Sequence, residues 1–295
     1  HQSVDKVMLL PYYTQSPFFL HTSKEGVSMA MPLDLVLVRH GESEGNIANQ
    51  RSRAGDNSAF TPEFKERIGA MWRLTKLGRA QALAAGEWIQ SNIGQRFDRY
   101  YVSEYIRAKE TAAFLKLPLA EWFCDFYLRE RDWGEMDVCP DDERQRLFAE
   151  SLRRRQVDGF FWTPPNGESL AQLCLRVDRV IDTWQRECSD KRIIAVCHGE
   201  VMWAFRVRLE RLSQQRFREL DTSRHAHDRI HNCQILHYTR RSPVTDTTTP
   251  YYSWMRSICP TDLSMSRNEW ERIERTRFSN QELIQQVEQV PQLVS

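Results

Sequence analysis

Four consecutive apolar residues, Leu35-Val36-Leu37-Val38, run directly into Arg39-His40-Gly41. A short unbroken apolar run bounded by polar residues fits a strand buried on both faces, so Leu33–Val38 is predicted as the first strand. The same texture returns at Phe97–Val102, Trp122–Leu128, Arg192–Val196 and Gln234–Tyr238. Between these runs the apolar period lengthens toward that of a helix. In Gly78–Asn92, Ala80, Leu83, Ala84 and Trp88 fall near one face. In Ser169–Glu187 the stripe is Leu170, Leu173, Val177, Val180, Ile181 and Trp184. Ile106–Leu115, Asp141–Val157 and about Val201–Leu209 also read as helices. Thr61-Pro62 opens a further one, with Pro at its first position. Pro164-Pro165-Asn166-Gly167 reads as a turn. Strands alternating with helices imply right-handed crossovers. The predicted class is therefore α/β, with a mostly parallel central sheet covered by helices on both faces.

After Arg240 the pattern changes. Ser242–Pro250 is a Thr-rich linker, and residues 266–276 and 279–290 read as two helices. In the second, Ser279 and Glu282 fit a capping box, and Leu283, Val287 and Val290 share a face. The expected organisation is an N-terminal extension over 1–32, one α/β domain over 33–240, and a linker with a helical extension over 241–295. The chain starts at His1, and Met29 or Met31 would make a natural start just before the first strand. Residues 1–28 are accordingly expected to be non-native or disordered and to lie outside the fold.

The 41 basic and 40 acidic residues give a formal net charge of +1. That balance argues against a global electrostatic design for nucleic acid or for a membrane surface. No apolar run approaches the length of a membrane span. The seven cysteines are odd in number and contain no C-x-x-C pair. They read as reduced, mostly buried thiols of a cytoplasmic protein, and Cys197 as a core residue. His225, His227, His231 and His237 lack carboxylate or cysteine partners at ligand spacing, so they read as structural or surface residues, and no metal or cofactor is expected.

Ligands of open α/β sheets bind at the carboxyl ends of the strands. A strand that delivers Arg39 and His40 to that end suits attack on phosphorus. The imidazole can carry a phosphoryl group, the guanidinium can neutralise its oxygens, and Gly41 would let backbone approach the anion. The run from Arg39 to Asn46 resembles the signature of the histidine phosphatase superfamily, the phosphoglycerate-mutase-like family, with Gly45 where many members carry an aromatic. Further pieces follow in that family's order: Leu74-Thr75 to Gln81-Ala82, Ser103 to Arg107-Ala108 and Thr111-Ala112, Leu128 to Gly134, Gly167-Glu168-Ser169, and Val196-Cys197-His198-Gly199.

The resemblance implies a three-layer phosphoglycerate-mutase-like fold over about 33–240 and a set of site residues. His40 matches the nucleophile, Arg39 and Arg107 the phosphate arginines, and His198 the second phosphate-pocket histidine. Asn46 matches a polar phosphate contact, against its competing reading as a turn or cap residue. Glu130 matches the general acid, with Asp132 and Glu135 as rivals close by. Glu200 is a departure, since the family usually has a neutral or small residue there. It would either stabilise the N-terminus of the next helix or contact a substrate hydroxyl or cation.

Arg153-Arg154-Arg155 reads as a solvated face, or as a clamp like the arginines that hold a second acidic group in phosphoglycerate mutases. In those mutases the corresponding region also carries a lysine, and residues 131–166 here contain none. The expected activity is therefore metal-independent hydrolysis of a small phosphorylated metabolite through a phosphohistidine. Mutase-type phosphoryl transfer is the alternative, and a non-catalytic phospho-ligand binder ranks below both. Partners would be the substrate alone, neither nucleic acid nor membrane, with a homodimer left open.

Overall fold

The computed structural model describes residues 30–294. The first strand, β1 (Asp34–Arg39), is followed by α1 (Glu44–Arg53), the short α2 (Pro62–Glu66) and α3 (Lys76–Asn92). Then come β2 (Arg99–Ser103), α4 (Ile106–Phe114), β3 (Trp122–Asp125), α5 (Asp141–Leu147) and α6 (Ala149–Val157). The long α7 (Leu170–Glu187) leads to β4 (Arg192–Cys197), α8 (Gly199–Leu209) and α9 (Gln214–Thr222). The chain ends with β5 (Ile235–Thr239), β6 (Trp254–Ile258), β7 (Arg267–Arg272) and α10 (Asn280–Glu288).

The seven strands form one sheet in the order β3-β2-β4-β1-β5-β6-β7. Its β3-β2-β4-β1 part is parallel, and β5, β6 and β7 add antiparallel pairings on the other side of β1. Successive side chains of a strand point to opposite faces, so a strand buried on both sides divides its apolar residues between two cores. In β1, Leu35 and Leu37 join a cluster with Val177, Trp184 and Phe205 of α7 and α8. Val36 and Val38 face Ala82, Ala85 and Ile89 of α3 and Ala108 of α4. All four strand residues are fully buried. The predicted α/β class, with helices on both faces of a sheet that is parallel at its centre, is what the structure holds.

Several elements differ from the sequence reading. Residues 266–276 were expected to be helical, but Arg267–Arg272 is a strand paired antiparallel with β6. Its composition, rich in Arg and Glu, favours a helix locally. The sheet edge overrides that preference: the Trp270 ring sits 4.8 Å from His237 and 4.7 Å from the Arg256 guanidinium. The sheet therefore continues beyond Arg240, and the tail is not simply a linker with helices. The long helix expected over Asp141–Val157 breaks at Phe148 into α5 and α6. The strand expected over Trp122–Leu128 ends at Asp125, whose carboxylate accepts from the Tyr127 N–H at 2.8 Å and turns the chain.

The expectation for residues 1–28 falls outside the described residues. Ala30 and Met31, assigned to the extension, are buried, and the Arg240 guanidinium donates to the Met31 carbonyl at 2.7 Å. Helix α10 has the capping box expected from Ser279 and Glu282, and none of its residues is buried. All seven cysteines are free thiols, six of them buried and Cys124 exposed. Among the described residues no helix is long and apolar enough to cross a membrane.

Candidate active site

His40 leaves the end of β1 and is gripped by backbone on two sides. Its N–H donates to the Cys197 carbonyl at 3.0 Å, and its own carbonyl accepts from the Cys233 N–H at 3.3 Å. The Asn232 amide adds a third bond to that carbonyl at 3.1 Å. In the ring, Nδ1 lies 2.7 Å from the Gly41 carbonyl. A carbonyl only accepts, so Nδ1 carries the proton and Nε2 keeps its lone pair. Arg107 Nε donates to that lone pair at 3.1 Å.

Arg107 stands in the first turn of α4 with its Nη1 on the Gly69 carbonyl at 2.7 Å. Thr111, one turn further on, accepts from the Gly41 N–H at 3.0 Å and donates to the Arg107 carbonyl at 2.7 Å. This hydroxyl ties the loop after β1 to the helix that carries the arginine. His198 is the N-cap residue of α8. Its Nε2 lies 2.8 Å from Ser103 Oγ, and its ring centroid is 5.2 Å from that of His40. Arg39 reaches the Ile230 carbonyl through Nη1 at 2.6 Å. Among the described residues, Arg39 Nε and His198 Nδ1 are buried without a hydrogen-bond partner.

Burial dominates the electrostatics. It holds His40 well below the ordinary imidazole range, and the Arg107 and Arg39 cations push the same way. His198 is lowered by burial as well, then by Arg107 and His40. Both rings are therefore neutral near pH 7. Burial also lowers Arg39 and Arg107, against the opposing pull of the Glu130 carboxylate.

A cleft of about 270 Å³ opens over Arg39, His40 and Arg107, with His198 buried behind its lining. Its walls carry three carboxylates: Glu130, Asp137 and Glu200. Glu130 is raised above the usual carboxylate range by burial and then by the Glu200 charge. The two rivals considered for its place are elsewhere. Asp132 and Glu135 are exposed, bonded to the Gly134 N–H and to Asn166 respectively, and neither lines the cleft. Asp137, which sequence reasoning missed, does line it, and burial raises its pKa too. Asn46 combines its two readings. Its Oδ1 accepts from the Ser43 N–H and from Asn232, each at 3.1 Å, as a cap of α1. The side chain also lines the cleft, which leaves its NH₂ as the free donor. Asn232 was missed as well; it lies outside every motif, and no local signal marks it.

The family model of the histidine phosphatase superfamily (branch 1) matches residues 35–240. The chain belongs to the histidine phosphatase superfamily. Among curated relatives, the 2,3-bisphosphoglycerate-dependent phosphoglycerate mutase of Parvibaculum lavamentivorans is 30% identical over 200 residues, covering 63% of this chain and 83% of the mutase. The enzyme of the same description from Brucella melitensis is 32% identical over 206 residues, covering 65% and 89%. Among solved structures, the alpha-ribazole phosphatase of Shigella flexneri superposes with a TM-score of 0.56 at 19% identity, over 74% of this chain and 93% of that one. That likeness shows the shared fold.

One departure from the superfamily pattern now has a physical reading. Where many members carry an aromatic, Gly45 leaves space that Trp72 fills from the long connection after α1. A Cβ built on Gly45 would lie 2.1 Å from the Trp72 ring. Gly41 has a different role from the one expected. Its N–H is already bonded to Thr111, and a Cβ there would lie 2.3 Å from the Gly78 carbonyl, so it permits close packing on α3.

The arginine run divides. Arg153 and Arg154 pair with Glu150 on the exposed side of α6. Arg155 alone lines the cleft, with its guanidinium 5.3 Å from the Trp133 ring and 5.4 Å from that of Trp162. Glu200 sits in the first turn of α8, as its helix-terminus reading expects, accepts from Arg131 at 3.3 Å and lines the cleft.

Proposed function

We propose that this protein is a phosphomonoesterase that works through a phosphohistidine on His40 and needs no metal ion. The observation that carries this reading is the His40 Nε2 lone pair, held in one tautomer near two buried unpartnered nitrogens, Arg39 Nε and His198 Nδ1, the latter a donor when Ser103 donates to Nε2. Buried donors without partners are costly, and an anionic oxygen satisfies both.

In the proposed reaction Nε2 attacks phosphorus while the ester oxygen departs in line. Arg39, Arg107 and His198 hold the phosphoryl oxygens, with the Asn46 amide as a further donor. Glu130, whose pKa burial and the Glu200 charge raise, gives a proton to the leaving oxygen. The resulting carboxylate then takes a proton from water, which attacks the phosphohistidine, releases phosphate and restores both groups. The cations on the walls supply the charge neutralisation that a metal would provide elsewhere.

The second reading, phosphoryl transfer between positions of a phosphoglycerate, is favoured by the mutase relatives. Against it stand the absence of lysine from residues 131–166 and the Glu200 carboxylate beside the anion site.

The deciding experiment uses His40→Ala. The variant should fold and lose turnover of phosphomonoesters, while rapid acid quenching of the wild type with labelled substrate should trap an acid-labile phosphoenzyme. Activity should survive exhaustive chelation with EDTA. Near wild-type turnover in the alanine variant, or loss of activity restored by a divalent ion, would sink the corresponding part. Isomerisation of 3-phosphoglycerate without release of phosphate would favour the mutase.

A further inference from the structure

The catalytic cleft is small. At about 270 Å³ it has roughly a third of the volume of the cavity beside it. It does not end there. A second cavity of about 830 Å³ adjoins it and shares Leu152, Arg155 and Glu200 with it. One wall is the face of α6 that presents Leu152, Arg155 and Gln156, spaced for one side of a helix. The opposite wall is the face of α9 that presents Gln214, Phe217 and Asp221. Arg218 holds the walls together by donating to the carbonyls of Gln156 and Val157.

The lining chemistry is selective. Two of the three cations of this cavity already have oxygen partners. Arg131 is bonded to Glu200 and to the carbonyls of Glu168 and Trp162, and Arg218 to two carbonyls. Arg155 is stacked on two indoles. Asp221 makes no hydrogen bond or close ion pair among the described residues. The amides of Gln145, Gln156 and Gln214 offer both donors and acceptors. Phe160 and Phe217 add apolar ring surface, packed edge to face at 5.8 Å. Carboxylate, amides and ring faces recognise hydroxyl groups and the C–H faces between them. A second anion would instead meet Glu200 and Asp221.

Resting on the phosphatase reading above, we propose that the second cavity binds the leaving group, and that the substrate is the phosphate ester of a neutral polyhydroxylated alcohol of sugar size. The phosphoryl group sits over His40, and the sugar passes Glu200 to lie between α6 and α9. Asp221 accepts from its hydroxyls.

The test compares kcat/KM for four esters: p-nitrophenyl phosphate, glycerol 3-phosphate, glucose 6-phosphate and 3-phosphoglycerate. The wild type should prefer glucose 6-phosphate to glycerol 3-phosphate by about tenfold or more, the range of one hydrogen bond to a charged group, and should use 3-phosphoglycerate least. Asp221→Asn and, separately, Thr222→Trp, which fills the cavity from an exposed helix position, should each collapse the ratio of glucose to glycerol ester. No turnover of any ester, p-nitrophenyl phosphate included, would overturn the phosphatase reading itself. Turnover of p-nitrophenyl phosphate without a preference for the sugar ester, a preference that survives both variants, or a preference for 3-phosphoglycerate would each overturn the subsite while leaving that reading standing.

Discussion

Replacing Gly45 with alanine sets two effects against each other, and the structure decides which wins. Gly45 lies in the first turn of α1, where alanine is favoured over glycine by roughly 0.5–1 kcal/mol in chain entropy. The new Cβ, however, would lie 2.1 Å and 2.3 Å from two carbons of the Trp72 ring. The ring cannot simply swing away. It is buried and stacks on Phe64 at 5.1 Å with an interplanar angle of 11°. Overpacking of this kind costs about 1–3 kcal/mol, so G45A should be a net loss of roughly 1–2 kcal/mol. In a domain of this size that lowers Tm by about 2–4 °C.

Trp72→Ala alone should cost about 3–5 kcal/mol, as for other buried aromatic rings. It also removes the obstacle, so in that background G45A should become stabilising, by up to ~1 kcal/mol. Thermal and urea unfolding of the wild type, both single variants and the double variant measure this as one cycle. A destabilisation of equal size in both backgrounds would refute the claim that Trp72 occupies the space above Gly45.

The remaining expectations are more direct. Glu130→Gln should lower turnover strongly for sugar phosphates and much less for p-nitrophenyl phosphate, whose leaving oxygen needs no proton; the same selectivity in Asp137→Asn but not in Glu130→Gln would move the acid to Asp137. Glu200 holds the Glu130 pKa up, so Glu200→Gln should let Glu130 ionise at lower pH. The alkaline limb of kcat for a poor leaving group should shift downward, and an unmoved or upward-shifted limb would contradict the coupling. A thiol reagent added to the native protein should modify one cysteine quickly, Cys124, since the other six are buried; peptide mapping that finds Cys197 or Cys233 labelled at a similar rate would contradict the burial.

The parts of the site that sequence exposes are those whose geometry is local. Arg39 and His40 end an apolar run, and His198 ends another, so the strand that positions each is written beside it. Residues placed by tertiary packing were not legible. Asn232 reaches His40 from the turn before the neighbouring strand β5, distant in sequence, and Asp137 belongs to an irregular stretch with no period to read. Arg155 could not be separated from Arg153 and Arg154, because which member of a helical run faces the cleft depends on how α6 packs. The strand at Arg267–Arg272 was misread for the same reason: its composition prefers a helix, and only its pairing with β6 and the Trp270 contacts reverse that.

The position of β1 has a consequence for how the protein is made. Its two neighbours in the sheet are β4 and β5, so Asp34 pairs with Arg192 on one side and Thr239 on the other. At about 5–20 residues per second of synthesis, the ribosome needs on the order of ten to forty seconds to supply both. For much of that interval this apolar strand is out of the exit tunnel with both edges bare, and one edge stays bare until β5 follows β4. Leu35 to Val38 is therefore the segment a holding chaperone should grip on the nascent chain, and its release should coincide with emergence of β5.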